Sequence, residues 1–297
     1  MRKTSKNFKF KHSLGQNFIV DEFLLEDIAD ESSITKDDFV LEIGAGNGAL
    51  TRCLAERSKY VVTIEVDNTL IPLLKSNLSD YENISIINAD FLEMNFNQIL
   101  TTFNSHNDKV HSSNFHIKVV ANLPYYITSP IINSLLLNPY ISEMTLMVQK
   151  EVAERIIAIP NSRDYGILTL ACNYFSETSL LMLVPKENFY PVPKVDSAVV
   201  HFKKYDKYID TSNDKNFHIE DDETYKNLFK LIKASFSQRR KKLANSLSNT
   251  LKLDKDVIAE AFNKLKFDEN VRAENLSLKD YENLLKCFED KIKSDIS

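Results

Sequence analysis

Strand-like and helix-like patterns of apolar residues take turns along the first two thirds of this chain of 297 residues. Apolar runs typical of strands occur at 37–46, 59–67, 83–91 and 118–125, and helical spacing follows at 47–58, 68–80 and 129–138. A further segment, 143–158, changes from a strand pattern to a helix pattern. Alternating strands and helices predict a parallel sheet covered on both faces, and strands that are apolar almost throughout fit that burial. The predicted fold class is therefore α/β.

Two polar stretches interrupt this pattern. ILTTFNSHNDKVHSSNFH (99–116) predicts a surface loop, because it is rich in Asn, Ser, Thr and His. KKYDKYIDTSNDKNFHIEDDET (203–224) marks a change in composition, and the segments after it have helical patterns only. We predict a first domain over 1–204, a polar linker over 205–221 and an all-helical domain over 222–297.

Charge is unevenly distributed along the chain. The net charge of −5 and the pI of about 5.8 argue, taken alone, against a nucleic-acid partner. Yet no acid occurs between Met1 and Val20 or between Tyr225 and Leu253, and both stretches carry several basic residues. Such a chain can offer one strongly positive face despite its negative total. A solvated helix face explains the same residues equally well, so both interpretations stay open at this point.

Composition argues against several other classes of protein. No apolar run approaches the length that spans a membrane, and the basic N-terminus lacks the apolar region of a signal peptide. The three cysteines (Cys53, Cys172 and Cys287) are far apart and form no CxxC pair, so we expect neither a zinc site nor a disulfide framework, and no metal. The prediction is a cytoplasmic protein with reduced thiols.

A cluster of glycines, Gly44, Gly46 and Gly48 in VLEIGAGNGAL, lies between a predicted strand and a predicted helix. Glycine lets the backbone turn sharply and lets a ligand approach it, and the helix N-terminus beyond carries partial positive charge. Proteins that bind NAD, FAD or S-adenosylmethionine share this pattern. A plain tight turn also explains it.

Polar groups end the next three predicted strands. Glu65 closes the second strand, where a carboxylate can accept hydrogen bonds from both hydroxyls of a ribose. Asp90 closes the third strand and is followed by Phe91, a pair that suits the exocyclic amine and the face of an adenine. Asn122 closes the fourth strand. Because ligands of open α/β sheets bind beyond the carboxyl ends of the strands, these residues predict one nucleotide-binding rim.

The fourth strand runs into Asn122-Leu123-Pro124-Tyr125, which suits transfer of a methyl group to an aromatic amine. The lone pair of such an amine is delocalised into the ring and must be aimed at the methyl carbon. The Asn122 side-chain oxygen and the Leu123 carbonyl, held by Pro124, can accept the two N–H groups and aim it. Tyr125 can stack on the base. This is catalysis by positioning and electrostatics, and the motif contains no cysteine or histidine for a covalent route.

A base inside a double helix cannot reach such a pocket, so the target must be flipped out or lie in a loop. A second aromatic is then expected on its other face. The segment ENFYPVPKVDSAVVHF (187–202) offers Phe189 and Tyr190 beside two prolines. A β-hairpin turn whose aromatics lie in the core explains the same residues.

Six motifs follow one another along the chain: LGQNF (14–18), LEIGAGNGALT (41–51), NLPYYITSPII (122–132), FYPVPKVDSAVV (189–200), FSQRRKKLANSL (236–247) and RAENLS (272–277). Together they resemble the KsgA/RsmA family of small-subunit ribosomal RNA adenine dimethyltransferases. The resemblance implies a Rossmann-like class I S-adenosylmethionine-dependent methyltransferase domain with a small all-helical C-terminal domain. It implies dimethylation of N6 of two adjacent adenosines in the hairpin loop near the 3′ end of 16S rRNA, with S-adenosylmethionine as methyl donor. The implied partner is the 30S subunit during its assembly, and the chain is expected to be a monomer.

The resemblance also implies roles for particular residues. The cofactor would be held by Asn17, Ile19, Gly44, Gly46, Glu65, Asp90, Phe91 and Asn122. The target adenine would be held by Asn122, Leu123, Pro124 and Tyr125, with Phe189 as its second stacking face. RNA phosphates would be bound by Arg239, Arg240, Lys241 and Lys242. Ala45 departs from the family, which often has proline at that position.

Three rival interpretations are weighed against this one. An Erm-type methyltransferase of large-subunit rRNA shares the glycine turn and the N-[LI]-P-[YF] motif, but LGQNF, PKVDSAVV, RRKKL and the chain length favour the KsgA/RsmA family. A ribosome-assembly or RNA-binding factor without activity has no need of an intact NLPY motif, although a dual role stays open. An NAD enzyme leaves NLPY unexplained and lacks a recognisable proton-transferring residue.

Overall fold

The computed structural model describes residues 17–105, 115–209, 222–238 and 240–293. Its strands are β1 (Phe18–Ile19), β2 (Phe39–Ile43), β3 (Tyr60–Glu65), β4 (Ile84–Asn88), β5 (Ile117–Asn122), β6 (Ile141–Gln149), β7 (Ser176–Val184), β8 (Phe189–Tyr190) and β9 (Ser197–Lys204). Its helices are α1 (Glu22–Glu31), α2 (Ala49–Ala55), α3 (Ile71–Asn77), α4 (Phe96–Asn104), α5 (Thr128–Leu137), α6 (Lys150–Ile156), α7 (Ile167–Phe175), α8 (Glu223–Phe236), α9 (Leu243–Leu251), α10 (Lys255–Leu265) and α11 (Leu278–Lys293).

Seven strands form one sheet in the order β4-β3-β2-β5-β6-β9-β7, and β1 pairs with β8 in a separate two-stranded ribbon. The ladders that join β4, β3, β2, β5 and β6 are all parallel, whereas β9 runs antiparallel to β6. The predicted parallel α/β sheet is therefore confirmed, with an antiparallel strand added beyond β6. Because the parallel strands end at the same edge, the polar groups after β3, β4 and β5 are brought to one side of the sheet.

The central strands owe their place to apolar side chains on both faces. Every residue of β2 and of β3 is buried, which fits parallel strands that are covered on both sides. Helices α1 and α2 pack into the same core cluster as these strands, through residues such as Leu25, Ile28 and Leu54. Each fully buried leucine or isoleucine contributes roughly 1.5–3 kcal/mol of stability. This packing fixes the position of the turn between β2 and α2.

The predicted loop over 99–116 is partly wrong. Its first six residues complete helix α4, whose first turn is capped by the Asn95 side chain, an acceptor from the Asn97 N–H at 2.9 Å. Ile99 and Phe103 are fully buried, and the Phe103 ring lies edge-on to Phe39 with 5.6 Å between centroids. The apolar residues Phe96, Ile99, Leu100 and Phe103 have helical spacing, and the predicted loop divided this pattern by starting at residue 99. Residues 106–114 lie outside the described residues.

The chain divides into two compact units. The first comprises Met1–Ala153 and Ser179–Lys215, and the second comprises Glu154–Thr178 and Asn216–Ser297. The second unit therefore includes residues 154–178, which the sequence analysis assigned to the first domain. Most of the predicted linker, 210–221, lies outside the described residues.

Within the second unit, helices surround an apolar core, and the predicted helical C-terminal region is confirmed. The Tyr174 and Phe229 rings lie edge to face with 5.6 Å between centroids. The buried hydroxyls of Tyr165 and Tyr281 donate to backbone carbonyls of residues 276 and 273, both at 2.9 Å. The stretch without acids between Tyr225 and Leu253 is not one continuous helix, because α8 ends at Phe236 and α9 begins at Leu243.

Over the four described ranges, none of the helices combines the length and the apolar character needed to cross a membrane.

Candidate active site

The glycine turn between β2 and α2 has a backbone conformation that requires glycine. Gly44, Gly46 and Gly48 have φ angles of +83°, +56° and +81°. A side chain at these φ values is strained in an L-residue. A Cβ atom on Gly46 would also lie 2.6 Å from the Cε1 atom of the Phe18 ring, and one on Gly48 would lie 2.7 Å from Leu74 Cδ1. Only glycine at positions 46 and 48 leaves room for the Phe18 and Leu74 side chains that lie against the turn.

Glu65 is the carboxylate that this turn holds in place. Its side chain is almost fully buried, and its two oxygens accept the backbone N–H groups of Gly46 and Asp67, each at 2.8 Å. Burial raises the pKa of Glu65, and these two hydrogen bonds oppose that rise. Each oxygen keeps a further lone pair, so the carboxylate can still accept from a ligand's hydroxyls. The predicted position of Glu65 at the end of β3 is the one observed.

Glu42 is a second buried carboxyl at the cleft, and the sequence analysis missed it. It lies within β2, is 1% exposed, and its Oε2 atom accepts the hydroxyls of Thr51 at 2.5 Å and Thr63 at 2.6 Å. Burial raises the pKa of Glu42 to about 7, against the two threonine hydrogen bonds that lower it. The signal in the sequence is an acid inside an otherwise apolar strand, VLEIG.

Asp90 and Phe91 are two predicted cofactor residues on the loop after β4. Asp90 follows the end of β4 by two residues, and its Oδ1 atom accepts the Leu92 N–H at 2.9 Å. Phe91 is 8% exposed, and neither residue lines the cleft described below. Asp90 is nonetheless close enough to Tyr126 for its charge, together with burial and Glu65, to raise the pKa of that hydroxyl.

One open cleft of about 790 Å³ brings most of the predicted site residues together. It is lined by residues 17–19 before α1, by residues 44–47 of the glycine turn, by Glu65 and by residues 122–125. Three segments that are far apart in the sequence therefore meet at the carboxyl end of the sheet.

Asn122 ends β5 and has its side chain oriented by the segment before α1. Its Nδ2 atom donates to the backbone carbonyl of Asn17 at 3.3 Å. With the amino group used in this way, the side-chain oxygen remains available as an acceptor. The Leu123 N–H donates to the Met147 carbonyl at 3.1 Å, and the Thr128 hydroxyl donates to the Pro124 carbonyl at 3.1 Å. These bonds hold the backbone of the NLPY motif where β5 ends.

Tyr125 is half-buried and has its hydroxyl group tied to a distant strand. The distance from the Tyr125 hydroxyl oxygen to Ser197 Oγ is 2.7 Å, and Ser197 is fully buried at the start of β9. Burial raises the pKa of the Tyr125 hydroxyl, and the hydrogen bond with Ser197 opposes the rise. The sequence analysis quoted Ser197 within FYPVPKVDSAVV but assigned it no role.

The two aromatics predicted near the target base, Phe189 and Tyr190, point to opposite faces of the β1–β8 ribbon. Ile19 pairs with Phe189, and both lie in the core cluster, where Phe189 is 1% exposed. Phe18 pairs with Tyr190, and directly paired residues share one face of an antiparallel ribbon. Phe18 and Ile19 both line the cleft, and Tyr190, the strand partner of Phe18, is 59% exposed. The base-stacking role of Phe189 stays a prediction.

Of the predicted RNA-binding residues, Arg240, Lys241 and Lys242 are exposed in the segment between α8 and α9. Arg239 lies outside the described residues. Three lysines of α8 precede this segment at helical spacing and form one row: Lys226, Lys230 and Lys233. The second unit thus carries a basic surface that runs along α8 and into the turn after it.

In the part of the chain that the structure describes, no group of three or more His, Cys, Asp or Glu side chains could hold a metal ion.

Comparisons with known proteins agree on one family. The family model described as ribosomal RNA adenine dimethylase matches residues 7–290. A protein named Ribosomal RNA small subunit methyltransferase A, from Clostridium botulinum (strain Okra / Type B1), is 40% identical over 284 residues, which cover 95% of this chain and 95% of that protein.

Two solved structures share the fold over nearly the whole chain. A crystal structure of a dimethyladenosine transferase from Plasmodium falciparum superposes with a TM-score of 0.74 at 25% identity, covering 92% of this chain and 98% of that one. The 23S rRNA methyltransferase ErmE superposes with a TM-score of 0.65 at 24% identity, covering 92% and 99%. At that identity the ErmE match shows a common fold alone.

Proposed function

This chain belongs to the ribosomal RNA adenine dimethylase family, and we propose that it dimethylates N6 of two adjacent adenosines in the hairpin loop near the 3′ end of 16S rRNA. The family makes it an S-adenosylmethionine-dependent rRNA adenine dimethyltransferase. The observation that carries the proposal is the meeting of the glycine turn, Glu65 and residues 122–125 in one cleft. The Erm-type alternative is not favoured, because the relatives at about 40% identity are named for the small subunit.

The cleft suits S-adenosylmethionine, which supplies an electrophilic methyl group on a positively charged sulfur. Glu65 is fixed by two backbone N–H groups and is a suitable acceptor for the two ribose hydroxyls. Glycine at position 46 lets the Phe18 ring, which also lines the cleft, lie directly against the turn. Asn17 and Ile19 border the same space, and we assign Asp90 and Phe91 to the adenine end of the cofactor.

The NLPY motif would hold the target adenine by its exocyclic amine. The Asn122 side-chain oxygen and the Leu123 carbonyl accept the two N–H groups, which draws the nitrogen toward a tetrahedral geometry and aims its lone pair at the cleft. Tyr125 stacks on one face of the base and Phe189 on the other. The thioether leaves as a neutral group without a general acid, and the methylated nitrogen, cationic for a moment, releases its proton to water. The rate enhancement therefore comes from orientation.

This arrangement accounts for two transfers to each nitrogen. After the first transfer one N–H remains, so one of the two acceptors keeps its hydrogen bond. After the second transfer neither acceptor has a donor, and two polar groups at the cleft are left unpaired. Because unpaired buried polar groups are costly, the dimethylated base is bound less well than the substrate.

The basic surface of the second unit would bind the phosphates of the RNA. It comprises the row of Lys226, Lys230 and Lys233 with the exposed side chains of Arg240, Lys241 and Lys242. Phosphate contacts give affinity without sequence readout, and the shape of the folded rRNA supplies selectivity. We assign Arg239 to the same role, take the assembling 30S particle as the substrate, and infer that the protein acts as a monomer in the cytoplasm.

The test is transfer of labelled methyl groups from S-adenosylmethionine to unmethylated 30S particles, with 50S particles and naked rRNA alongside. We expect dimethyladenosine in 30S particles alone. Label in 50S particles would overturn the small-subunit assignment, and binding to 30S particles without label would make the protein an assembly factor. Asn122→Ala is the paired variant, and it should abolish transfer while 30S binding persists.

A second measurement tests the RNA-binding residues. Replacing Arg240 and Lys241 together with alanine should weaken binding to 30S particles and lower the slope of log affinity against log salt by roughly 1.5, because each phosphate contact contributes about 0.7–0.9. Glu260→Gln and Lys264→Ala on α10, combined in one variant, give a control that changes two exposed charged side chains elsewhere in the unit. A slope equal to that of wild type would show that Arg240 and Lys241 do not meet phosphates.

A further inference from the structure

We propose that Ser197 is a positioning residue for methyl transfer, because it anchors the hydroxyl of Tyr125 and so fixes the plane of the ring on which the target base stacks. This inference rests on the proposed function, since it concerns how the base is held. Its starting point is the 2.7 Å contact between the Tyr125 hydroxyl and Ser197 Oγ. The two residues are 72 positions apart in the sequence.

Ser197 is a fixed point, as an anchor must be. It is fully buried, and it is the first residue of β9, where it pairs with Gln149 at the end of β6. The residue before it is held from two directions: the Asp196 carbonyl accepts the Lys150 N–H at 3.0 Å, and Asp196 Oδ1 accepts the Lys186 N–H at 3.1 Å. The serine oxygen therefore has a defined position before any substrate arrives.

Tyr125, by contrast, starts from a short element. It is the first residue of a single 3₁₀ turn, Tyr125–Ile127, and it lines the cleft with part of its ring exposed. A ring held only at its Cβ atom turns about two torsions, whereas a ring held also at its hydroxyl has one orientation. A base that stacks on the anchored ring meets a surface that is already in place, so little ordering is left for the moment of binding.

The bond also joins the two motifs that supply the base site. Tyr125 belongs to NLPY and Ser197 to FYPVPKVDS, and Phe189, the other proposed stacking partner, lies at the start of the second motif. The bond between Tyr125 and Ser197 thus fixes the Tyr125 ring relative to β9, the strand that follows Phe189 in the chain. Losing either hydroxyl leaves its partner unpaired in a largely buried position, and losing both removes the unpaired group as well.

The experiment compares Ser197→Ala, Tyr125→Phe and the double variant in single-turnover methylation of 30S particles. We expect each single variant to lower the rate about tenfold while the affinity for S-adenosylmethionine stays within twofold of wild type. The double variant should be no slower than the slower single variant, because both changes remove the same bond. Rates that multiply in the double variant would show that the two residues act separately and would overturn the proposal.

Ser58→Ala is the matched control. Ser58 is also a buried serine of the first unit, and its hydroxyl donates to the Leu54 carbonyl at 2.7 Å. It should lose a similar amount of stability without a change in rate. If Ser197→Ala and Ser58→Ala have the same rate, Ser197 has a structural role only.

A readout that does not need methylation separates this inference from the proposed function. In protein labelled with ¹³C at the tyrosine rings, the Tyr125 signal is the one absent from Tyr125→Phe, and Ser197→Ala should shift and broaden it. An unchanged Tyr125 signal in Ser197→Ala would overturn the anchor even if the enzyme is active. A wild-type protein that methylates no ribosomal substrate would overturn the proposed function and leave the ring measurement to decide on the anchor.

Discussion

The two sides of the cleft are built in different ways. On the cofactor side, three glycines at alternate positions give the turn its backbone conformation, and backbone N–H groups fix the buried carboxylate of Glu65. On the base side, the shape depends on contacts between side chains or segments that are far apart, such as Asn122 with Asn17 and Tyr125 with Ser197. The aromatics there are partly exposed, as Tyr126 and Tyr190 show.

This difference indicates which substitutions should impair each side of the cleft. A site made by the backbone fails when the backbone cannot adopt its conformation, and it tolerates few substitutions. A site made by paired side chains loses activity in smaller steps, since each pair can be removed separately and the rest of the cleft remains. Substitutions on the cofactor side should therefore cause the largest losses.

Gly46→Ala should have the largest effect. The new Cβ atom meets the Phe18 ring at 2.6 Å and is strained at a φ of +56°, so we expect cofactor affinity to fall at least a hundredfold, as measured by calorimetry. Gly166→Ala is the control, because a Cβ atom there meets nothing within 4 Å. Equal affinities in the two variants would mean that the glycine turn does not shape the cofactor site.

Glu65→Gln comes next. The amide keeps the size of the carboxyl, but its NH₂ group faces a backbone N–H where the carboxylate accepted one, and the negative charge is lost. Cofactor affinity should fall by about 10- to 100-fold, in line with the loss of one or two charge-assisted hydrogen bonds. Glu56→Gln, at an exposed glutamate that accepts the Tyr81 hydroxyl, should bind the cofactor as wild type does. Unchanged binding in Glu65→Gln would remove Glu65 from the ribose site.

On the base side, Phe189 and Tyr190 provide a direct comparison. Tyr190→Ala should raise the KM for 30S particles about fivefold, because an exposed aromatic ring can stack on RNA bases. The Tm should not change, because the ring is not buried in the hydrophobic core. Phe189→Ala should lower the stability by about 3–5 kcal/mol, since that ring is 1% exposed. A KM unchanged in Tyr190→Ala would show that the exposed ring does not meet the RNA, and a kcat unchanged in Phe189→Leu would overturn the stacking role proposed for Phe189.

The smallest expected effect is the contribution of Glu42 to the pH dependence of Tm. Its pKa is about 7 in the folded chain and near 4.5 when the carboxyl is in water, so the folded state holds this proton more tightly. The contribution of Glu42 to stability therefore declines as pH rises from about 4.5 to 7 and is level above that range. Glu42→Gln, which stays neutral, should gain a few degrees of Tm relative to wild type between pH 5 and pH 8. A difference in Tm that does not depend on pH would show that Glu42 keeps an ordinary pKa.

The fold was largely predictable because its signals are local. Apolar runs separated by glycine or polar residues located β2 to β6, and the strand-end positions of Glu65 and Asn122 follow directly from those runs. Helix α4 was missed although Phe96, Ile99, Leu100 and Phe103 have helical spacing, because the predicted loop started at residue 99 and divided that pattern. Helix α7 and strand β7 received no assignment, and the first of these belongs to the second unit although the sequence places it before β8.

The candidate site was predictable in its residues but not in its contacts. The motifs named Asn122, Tyr125 and Phe189, yet nothing in a linear pattern states that Tyr125 meets Ser197 or that Phe189 faces the core. Such facts depend on the register of β1 with β8 and on how β9 returns beside β6, which are set by long-range packing. The buried acid Glu42 was visible as an acid inside an apolar strand, but its threonine partners come from two other elements.

The hydrogen bond from the Asn122 amide to the Asn17 carbonyl has a practical consequence for anyone who purifies or engineers this protein. It links Asn122, the residue proposed to hold the target amine, to a residue 105 positions earlier, just before the first helix. Exposed chain ends are where proteases cut and where affinity tags are fused. Trimming or tagging the chain close to residue 17 should therefore impair the proposed methyl transfer. It would displace the backbone carbonyl that orients Asn122 without altering any side chain of the proposed site.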